Sequence, residues 1–263
     1  MIFTMKATFR LFIVCVCLFI ATVTLVPPAV SMATDDGATD FLDDEFYDSE
    51  PMSVEVGDPL ESFNRAMFRF NDFNYTWVFN PVATGYSHIV PVDIRGSVGN
   101  FFYNLQEPLR FINSILQGRL SDAGTVLVRF VVNTTGGVAG LGDPAGRELG
   151  FKAIDASLGE TLGVWGIGDG FYLVVPFYGP TTLRDFSGDM VDGLALSPYY
   201  YWADGWEEIA AIYLGKELNK MSLYLGEYED MKQMSFDPYI ALRNGYFQYR
   251  KKIRDHNIPL YDE

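Results

Sequence analysis

The sequence predicts a mainly α domain with little or no β-structure over residues 58–255. Three observations lead there. Helix-start signals recur, with Asp ahead of Pro, or with Asp or Ser three residues ahead of Glu. Apolar residues return at helical spacing along several stretches. Strand signals are few. VVPFY at 174–178 is the best candidate, and Pro176 demotes it because proline cannot donate to a strand ladder.

The elements follow in chain order. Lys6 and Arg10 precede the apolar run LFIVCVCLFIATVTLV at 11–26, then Pro27-Pro28 and small residues around Ser31 and Ala33. This is the layout of a secretory signal peptide, so residues 1–33 are expected to be cleaved on export. Residues 34–57, TDDGATDFLDDEFYDSEPMSVEVG, carry many acids and no base, and read as a self-repelling disordered linker. Asp58-Pro59-Leu60-Glu61 places Asp at an N-cap, Pro at N1 and Glu at N3. Leu60, Phe63, Met67, Phe70 and Trp77 then recur at helical spacing, with Phe68, Phe73 and Phe79 on other sides. A helix apolar over so much of its circumference is central to a core or touches lipid.

Pro108 is expected to bend or break a helical run from Ser97 to Gln117, which Gly118 ends. Gly136-Gly137 ends the helix carrying LVRFVVNTT. Ser157-Leu158-Gly159-Glu160 and Asp204-Gly205-Trp206-Glu207 repeat the capping spacing. Residues 204–233 read as one helix of about 45 Å at 1.5 Å per residue. Asp237-Pro238 starts the last helix, and residues 256–263 form a tail. No stretch after residue 33 has the roughly 20 apolar residues of a membrane-spanning helix.

Composition and motifs exclude most chemistry. The chain carries a formal net charge of −15, and its leader takes away bases but no acids, so nucleic acid is not an expected partner. Both cysteines, Cys15 and Cys17, lie in the leader, leaving no thiol for disulfides or metals. The two histidines, His88 and His256, have neither a shared metal spacing nor a triad signature, and no metal, cofactor or catalytic residue is assigned. Gly163, Gly166, Gly168 and Gly170 match neither phosphate-loop pattern, and read as turns or close backbone approaches. Asp185, Asp189 and Asp192 share a helical face, read as solvated, with a structural cation as the alternative. Arg243, Arg250, Lys251, Lys252 and Arg254 crowd the last helix without an acid after residue 238 until Asp255. They complement the helix dipole or meet anionic headgroups or an acidic partner.

Longer motifs carry a resemblance. GDPLESFNRAMFRFN at 57–71 and GNFFYNLQEPLRFINSILQG at 99–118 are followed by RFVVNTTGGVAGLGDPAG at 129–146. LGETLGVWGIGDGFYLVVPFYGPTTLRDFSGDMVDG at 158–193 and FDPYIALRNGYFQYR at 236–250 complete the set. In this order they resemble the MlaA (VacJ) proteins of the Gram-negative outer membrane. The resemblance implies a ring-like bundle of amphipathic helices seated in one membrane leaflet around an amphipathic channel. It implies removal of mislocalised phospholipids from the outer leaflet, with trimeric outer-membrane porins and the periplasmic carrier MlaC as partners. It implies no covalent chemistry. Family members are usually acylated on a cysteine at the cleavage site; neither cysteine here has the small residues such processing wants, so a non-acylated protein is expected.

The candidate lipid-path residues are Asn100, Phe101, Thr181, Thr182, Arg184 and Asp185, and the candidate headgroup or partner contacts are Arg250, Lys251, Lys252 and Arg254. Arg184→Glu is expected to impair export without unfolding the chain. The rival readings are an outer-membrane or periplasmic scaffold that moves no lipid, and a hydrolase using the acids at 185–192.

Overall fold

The computed structural model describes residues 58–198 and 203–255. The expected signal peptide 1–33, linker 34–57, tail 256–263 and His256 lie outside the described residues. Helix α1 (Glu61–Asn74) runs through a π-helical stretch, Tyr75–Phe79, into α2 (Asn80–Ile89). Then come α3 (Val92–Leu116), α4 (Leu120–Thr135), the single turn α5 (Pro144–Arg147) and α6 (Leu158–Val164). Strands β1 (Tyr172–Val175) and β2 (Gly179–Thr182) pair antiparallel, with Tyr172 opposite Thr182. Helix α7 (Leu183–Met190) passes into a second π-helical stretch, Val191–Leu196. Helices α8 (Trp206–Leu223), α9 (Glu227–Met234) and α10 (Pro238–Asp255) complete the chain. The fold is mainly α, as expected.

Local chemistry explains where the elements differ from expectation. Asp58 is not a side-chain cap: its carboxylate accepts from Asn64 Nδ2 (2.9 Å) and from the Tyr239 hydroxyl, and the helix starts behind Leu60. The 204–233 run is two helices, because Gly226 turns left-handed at φ +96°. At the start of α8, Glu208 rather than Glu207 reaches back, accepting from the Asp204 amide (2.8 Å). Pro108 does not break α3, which continues to Leu116. Pro176 lies in the hairpin turn, where its missing N–H costs no ladder bond. Ser157 and Asp237 do cap, accepting amides of Glu160 (3.4 Å) and Tyr239 (3.0 Å). Gly118 (φ +74°) ends α3 in the left-handed geometry glycine favours.

The elements close a ring. Going round it, α1, the first π stretch, α2, α8, α3, α6, α7, β2 and β1 each touch the next, and β1 returns to α1. Helix α4 packs against α3 and α5 against α4, and α10 lies against β2. The seams are polar. At α1–β1, Asn64 Nδ2 donates to the Tyr172 carbonyl (3.0 Å) and Asn64 Oδ1 accepts from the Val174 amide (2.9 Å). One pair further along the same face, Asn71 Oδ1 accepts from the Phe177 amide (2.8 Å), and its Nδ2 donates to the Val175 carbonyl (3.0 Å). These amides act as a substitute third strand. At α3–α8, Asn219 Nδ2 donates to the Arg95 carbonyl (2.9 Å) and Arg95 donates to the Ser222 carbonyl. At α3–α6, Thr161 donates to Asn113 Oδ1 (3.1 Å) and accepts from Gln117 Nε2 (3.1 Å). At α6–α7, Gly159 and Gly188 allow the backbones to meet: a Cβ on Gly188 would overlap the Gly159 backbone.

Polar groups therefore fill places that apolar residues hold in an ordinary core. The buried apolar cluster is small: Tyr172, Val174 and Tyr239, with Met67, Phe68 and Phe247 against it. Helix α1 with its π-helical continuation is divided: Met67 and Phe68 meet that cluster, while Phe63, Phe70, Phe73 and Trp77 are exposed, Trp77 at 70%. Outside the ring, Glu107 is fully buried on α3, 3.5 Å from Arg129 of α4. Arg129 also pairs with Asp143 (3.1 Å) and donates to the Phe151 carbonyl (2.5 Å), tying α4 to the segment that follows. Burial pushes the Glu107 carboxyl up to about 7, against the pull of Arg110 and Arg129.

Two tests follow from these contacts. Asn64→Ala leaves a buried carbonyl and amide of β1 without partners, at a cost of about 3 kcal/mol; hydrogen exchange at 172–175 should accelerate by orders of magnitude before α4 changes. The folded Glu107 binds its proton more tightly than the unfolded one, so its contribution favours folding below about pH 4.5 and is lost as pH rises through about 7. Thermal unfolding from pH 5 to 8 should show Glu107→Gln losing less stability than the wild-type chain, by up to about 3 kcal/mol; equal pH slopes would contradict the assignment.

Candidate functional site

The ring encloses a cavity of about 900 Å³. Its wall is built from both π-helical stretches, the middle of α3, the start of α6, the hairpin, and the inner faces of α8 and α10. It mixes apolar residues such as Phe79, Leu109 and Leu218 with many ionisable ones. That mixture suits a molecule with a charged part and a hydrocarbon part.

Arg250 organises one side. Sequence reading offers it as a headgroup or partner contact; in the structure it lines the cavity from the inner face of α10, its side chain 12% exposed. Its Nε lies 2.8 Å from Asp185 Oδ2, and its Nη1 lies 3.5 Å from Glu160 Oε1. Tyr246 also donates to Asp185 Oδ2 (2.7 Å). Burial raises the Asp185 carboxyl, but Arg250 and Arg184 outweigh that and hold it below its ordinary value. Burial pushes Glu160 up to about 7 despite Arg250. Burial likewise lifts Asp192 to about 6, even though its Oδ2 accepts from the Leu158 amide (2.6 Å). Asp189 is raised by burial too, while the Tyr178 hydroxyl donates to it.

The three aspartates are therefore not a solvated face. Asp185, Asp189 and Asp192 are held by an arginine, a tyrosine and a backbone amide respectively. No group of three or more potential metal-ligating side chains capable of holding an ion occurs among the described residues.

The other candidates separate. Thr181 lines the cavity, as Arg250 does. Thr182 stands just behind the wall as the N-cap of α7, accepting from the Asp185 amide (3.3 Å). Arg184 and Asp185 are also behind the wall. Arg184 pairs with Asp169 (2.5 Å) and Asp185 (3.0 Å) and donates to the Ile167 carbonyl (3.1 Å), stapling the glycine-rich loop to α7. Gly163 is part of that staple, because a Cβ there would lie 2.9 Å from the Arg184 guanidinium. Gly166 and Gly170 take positive φ, so the ladder is turns and close approach. Arg184→Glu would put a carboxylate beside Asp169 and Asp185 in a buried site, so it is expected to unfold this region rather than spare it.

Asn100 and Phe101 are elsewhere on α3. Asn100 Nδ2 donates to the Leu141 carbonyl (3.4 Å), and Phe101 stacks edge-on to Phe102. Lys251 is exposed, and the side chains of Lys252 and Arg254 lie outside those described. Sequence reading missed Glu160, Arg110, Lys216 and Lys220 as cavity residues. The same-face spacing of the aspartates was the available signal for that wall, and it was assigned to solvent.

The outer surface complements this interior. Phe73, Trp77, Val82, Ile89, Ile94, Leu120 and Val131 are each at least half exposed. No helix among the described residues is long and apolar enough to cross a membrane.

Comparison with known proteins gives a consistent answer. The family description MlaA lipoprotein matches residues 56–253. A Haemophilus influenzae protein named intermembrane phospholipid transport system lipoprotein MlaA is 35% identical over 199 residues, which is 74% of this chain and 78% of that one. The Escherichia coli protein of the same name is 36% identical over 195 residues, 73% of this chain and 76% of that one. A solved structure concerned with the structural basis for maintenance of bacterial outer membrane lipid asymmetry superposes with a TM-score of 0.65 at 34% identity, covering 75% of this chain and 98% of that one. By its motifs, its ring and these relatives, the chain belongs to the MlaA lipoprotein family.

Proposed function

We propose that the protein transports phospholipids between membranes, withdrawing mislocalised phospholipids from the outer leaflet of the outer membrane through the central cavity. The observation that carries this reading is an apolar exterior around a ring-bounded cavity in which ionisable side chains stand among apolar ones. A soluble domain exposes few contiguous large apolar residues, whereas an object seated among acyl chains needs them outside. A charged headgroup crossing hydrocarbon unaided pays a large desolvation cost, and a polar-lined passage lowers it. The cavity supplies paired charges for the headgroup and apolar surface for the tails.

In this reading the ring sits in the periplasmic leaflet, with residues 1–33 directing export and residues 34–57 acting as a linker. Porin trimers steady it in the membrane, and the carrier MlaC receives the lipid. No chemical bond is made or broken, so no catalytic residue is assigned. The names and descriptions of the similar proteins support the transport reading; the leaflet, partners and residue roles are the proposal's own.

Gly193 offers a direct test. It lines the cavity in the second π-helical stretch, and a Cβ added there meets no atom within 4 Å. Gly193→Trp should fold with a melting temperature within a few degrees of wild type, because it enters open space. In cells lacking the native protein it should leave surface-exposed phospholipid as high as an empty vector does. Full rescue by Gly193→Trp would sink the cavity route. Purification in mild detergent without any co-purifying phospholipid would favour a scaffold instead.

A further inference from the structure

The charges in the cavity are segregated. One wall, made by residues 155–157, α6, the end of α7, the second π-helical stretch and α10, carries Asp155, Glu160, Asp189 and Asp192 beside Arg250 and Arg110, the latter 3.8 Å from Asp155. Arg250 does not neutralise that wall, since it already lies between Asp185 at 2.8 Å and Glu160 at 3.5 Å. Asp185 also faces Arg184 at 3.0 Å, and with Arg110 counted the wall still sets four lining carboxylates against two guanidiniums. The α8 side presents Lys216 and Lys220, with Glu217 lying 3.4 Å from Lys216. Lys220 is exposed and forms no ion pair among the described residues.

The acidic wall also has unmet hydrogen-bonding capacity. The Glu160 side chain is 5% exposed, and its Oε2 has no hydrogen-bond partner among the described residues. The same holds for Asp192 Oδ1, whose sister oxygen accepts from the amide of Leu158, two residues before Glu160. A buried carboxylate oxygen without a donor is costly, so this position favours a ligand that brings N–H donors and positive charge. A metal ion is the poorer match, because no three or more ligating side chains converge to hold one among the described residues. An ammonium group supplies three donors and needs no such set.

Resting on the phospholipid-transport reading, we propose that the cavity selects zwitterionic phosphoethanolamine headgroups over purely anionic phosphoglycerol ones, with Glu160 receiving the ammonium while Lys216 and Lys220 face the phosphate. The ammonium and phosphate of one headgroup carry the two charges that the carboxylate wall and the lysines would receive. A phosphoglycerol headgroup satisfies the lysines but offers the carboxylates only neutral hydroxyls. The raised Glu160 carboxyl, at about 7, fits this role, since an approaching ammonium stabilises its ionised form.

The test is lipid mass spectrometry on the full chain purified in mild detergent from a bacterium whose membranes hold both phosphatidylethanolamine and phosphatidylglycerol. The wild-type bound pool should be enriched in phosphatidylethanolamine by about tenfold over the membrane ratio, the low end of the discrimination that one charge-assisted hydrogen bond supplies. Glu160→Gln should return the ratio to that of the membrane. A second arm needs no variant: wild-type protein incubated with vesicles containing equal phosphatidylethanolamine and its N-acetyl derivative should take up the free amine preferentially. A bound pool that mirrors the membrane, or equal uptake of the two vesicle lipids, overturns headgroup selection and leaves transport standing. An enrichment unchanged in folded Glu160→Gln removes Glu160 from the role. Protein that binds no phospholipid in either arm overturns the transport reading and this one with it.

Discussion

The structure depends on the amide clamp between α1 and the hairpin. A ring of helices has a closure problem, since α8 wedges between α2 and α3, α3 reaches across to α6, and α1 must still meet a segment about a hundred residues later. Here that meeting is between Asn64 and Asn71 on one side and the backbone of residues 172–177 on the other. The hairpin is only two strands wide and would be marginal alone. The two asparagines give it a third edge, and Tyr172 and Tyr239 place α10 against the same point. Without the clamp, the α7–hairpin side has no fixed position relative to α1, and the cavity between them has no defined wall.

This construction inverts the usual division of labour. The seams rest on hydrogen bonds from asparagine, threonine, glutamine and arginine side chains to backbone, and the large apolar residues face outward. Polar bonds are directional, so they fix spacing and register in a wall that has no dense core beneath it. The same preference leaves charges near the cavity, where burial separates their behaviour. Asp185 is held ionised by two arginines, while Glu160, Asp189 and Asp192 are pulled toward their neutral forms. One wall thus contains both a fixed charge and groups responsive to what approaches them.

Much of the fold was legible in the sequence because caps and breakers act locally. Ser157, Asp237, Gly118 and the Gly136-Gly137 pair mark their boundaries through contacts with near neighbours. The misreadings have a common cause. Asp58 and the aspartates at 185, 189 and 192 have short-range meanings that are true of isolated helices, and here distant partners replace them. The apolar spacing of α1 showed a helix apolar over much of its surface but did not separate Met67 and Phe68, which meet the core, from Phe73 and Trp77, which are exposed. Asn64 was invisible as a key residue, since an asparagine amid phenylalanines looks like a polar interruption until the strand it serves is in place.

The two π-helical stretches, Tyr75–Phe79 and Val191–Leu196, have a consequence for how such a chain tolerates change. Each accommodates an extra residue per turn relative to an α-helix, offsetting everything downstream by about 100° about the helix axis. In the first stretch, this phase carries the lining from Asn71 on α1 to Phe79 and brings Asn80 within 2.7 Å of Glu229 on α9. Removing one residue there would preserve composition and hydrophobicity almost unchanged. It would nonetheless rotate the inward stripe of the next helix by about 100°, so that a one-codon deletion turns lining residues away from the cavity. The stretches act as gears that keep successive helices meshed to a common centre, and the molecule's tolerance of insertions and deletions is set there as much as by any charged residue in the cavity.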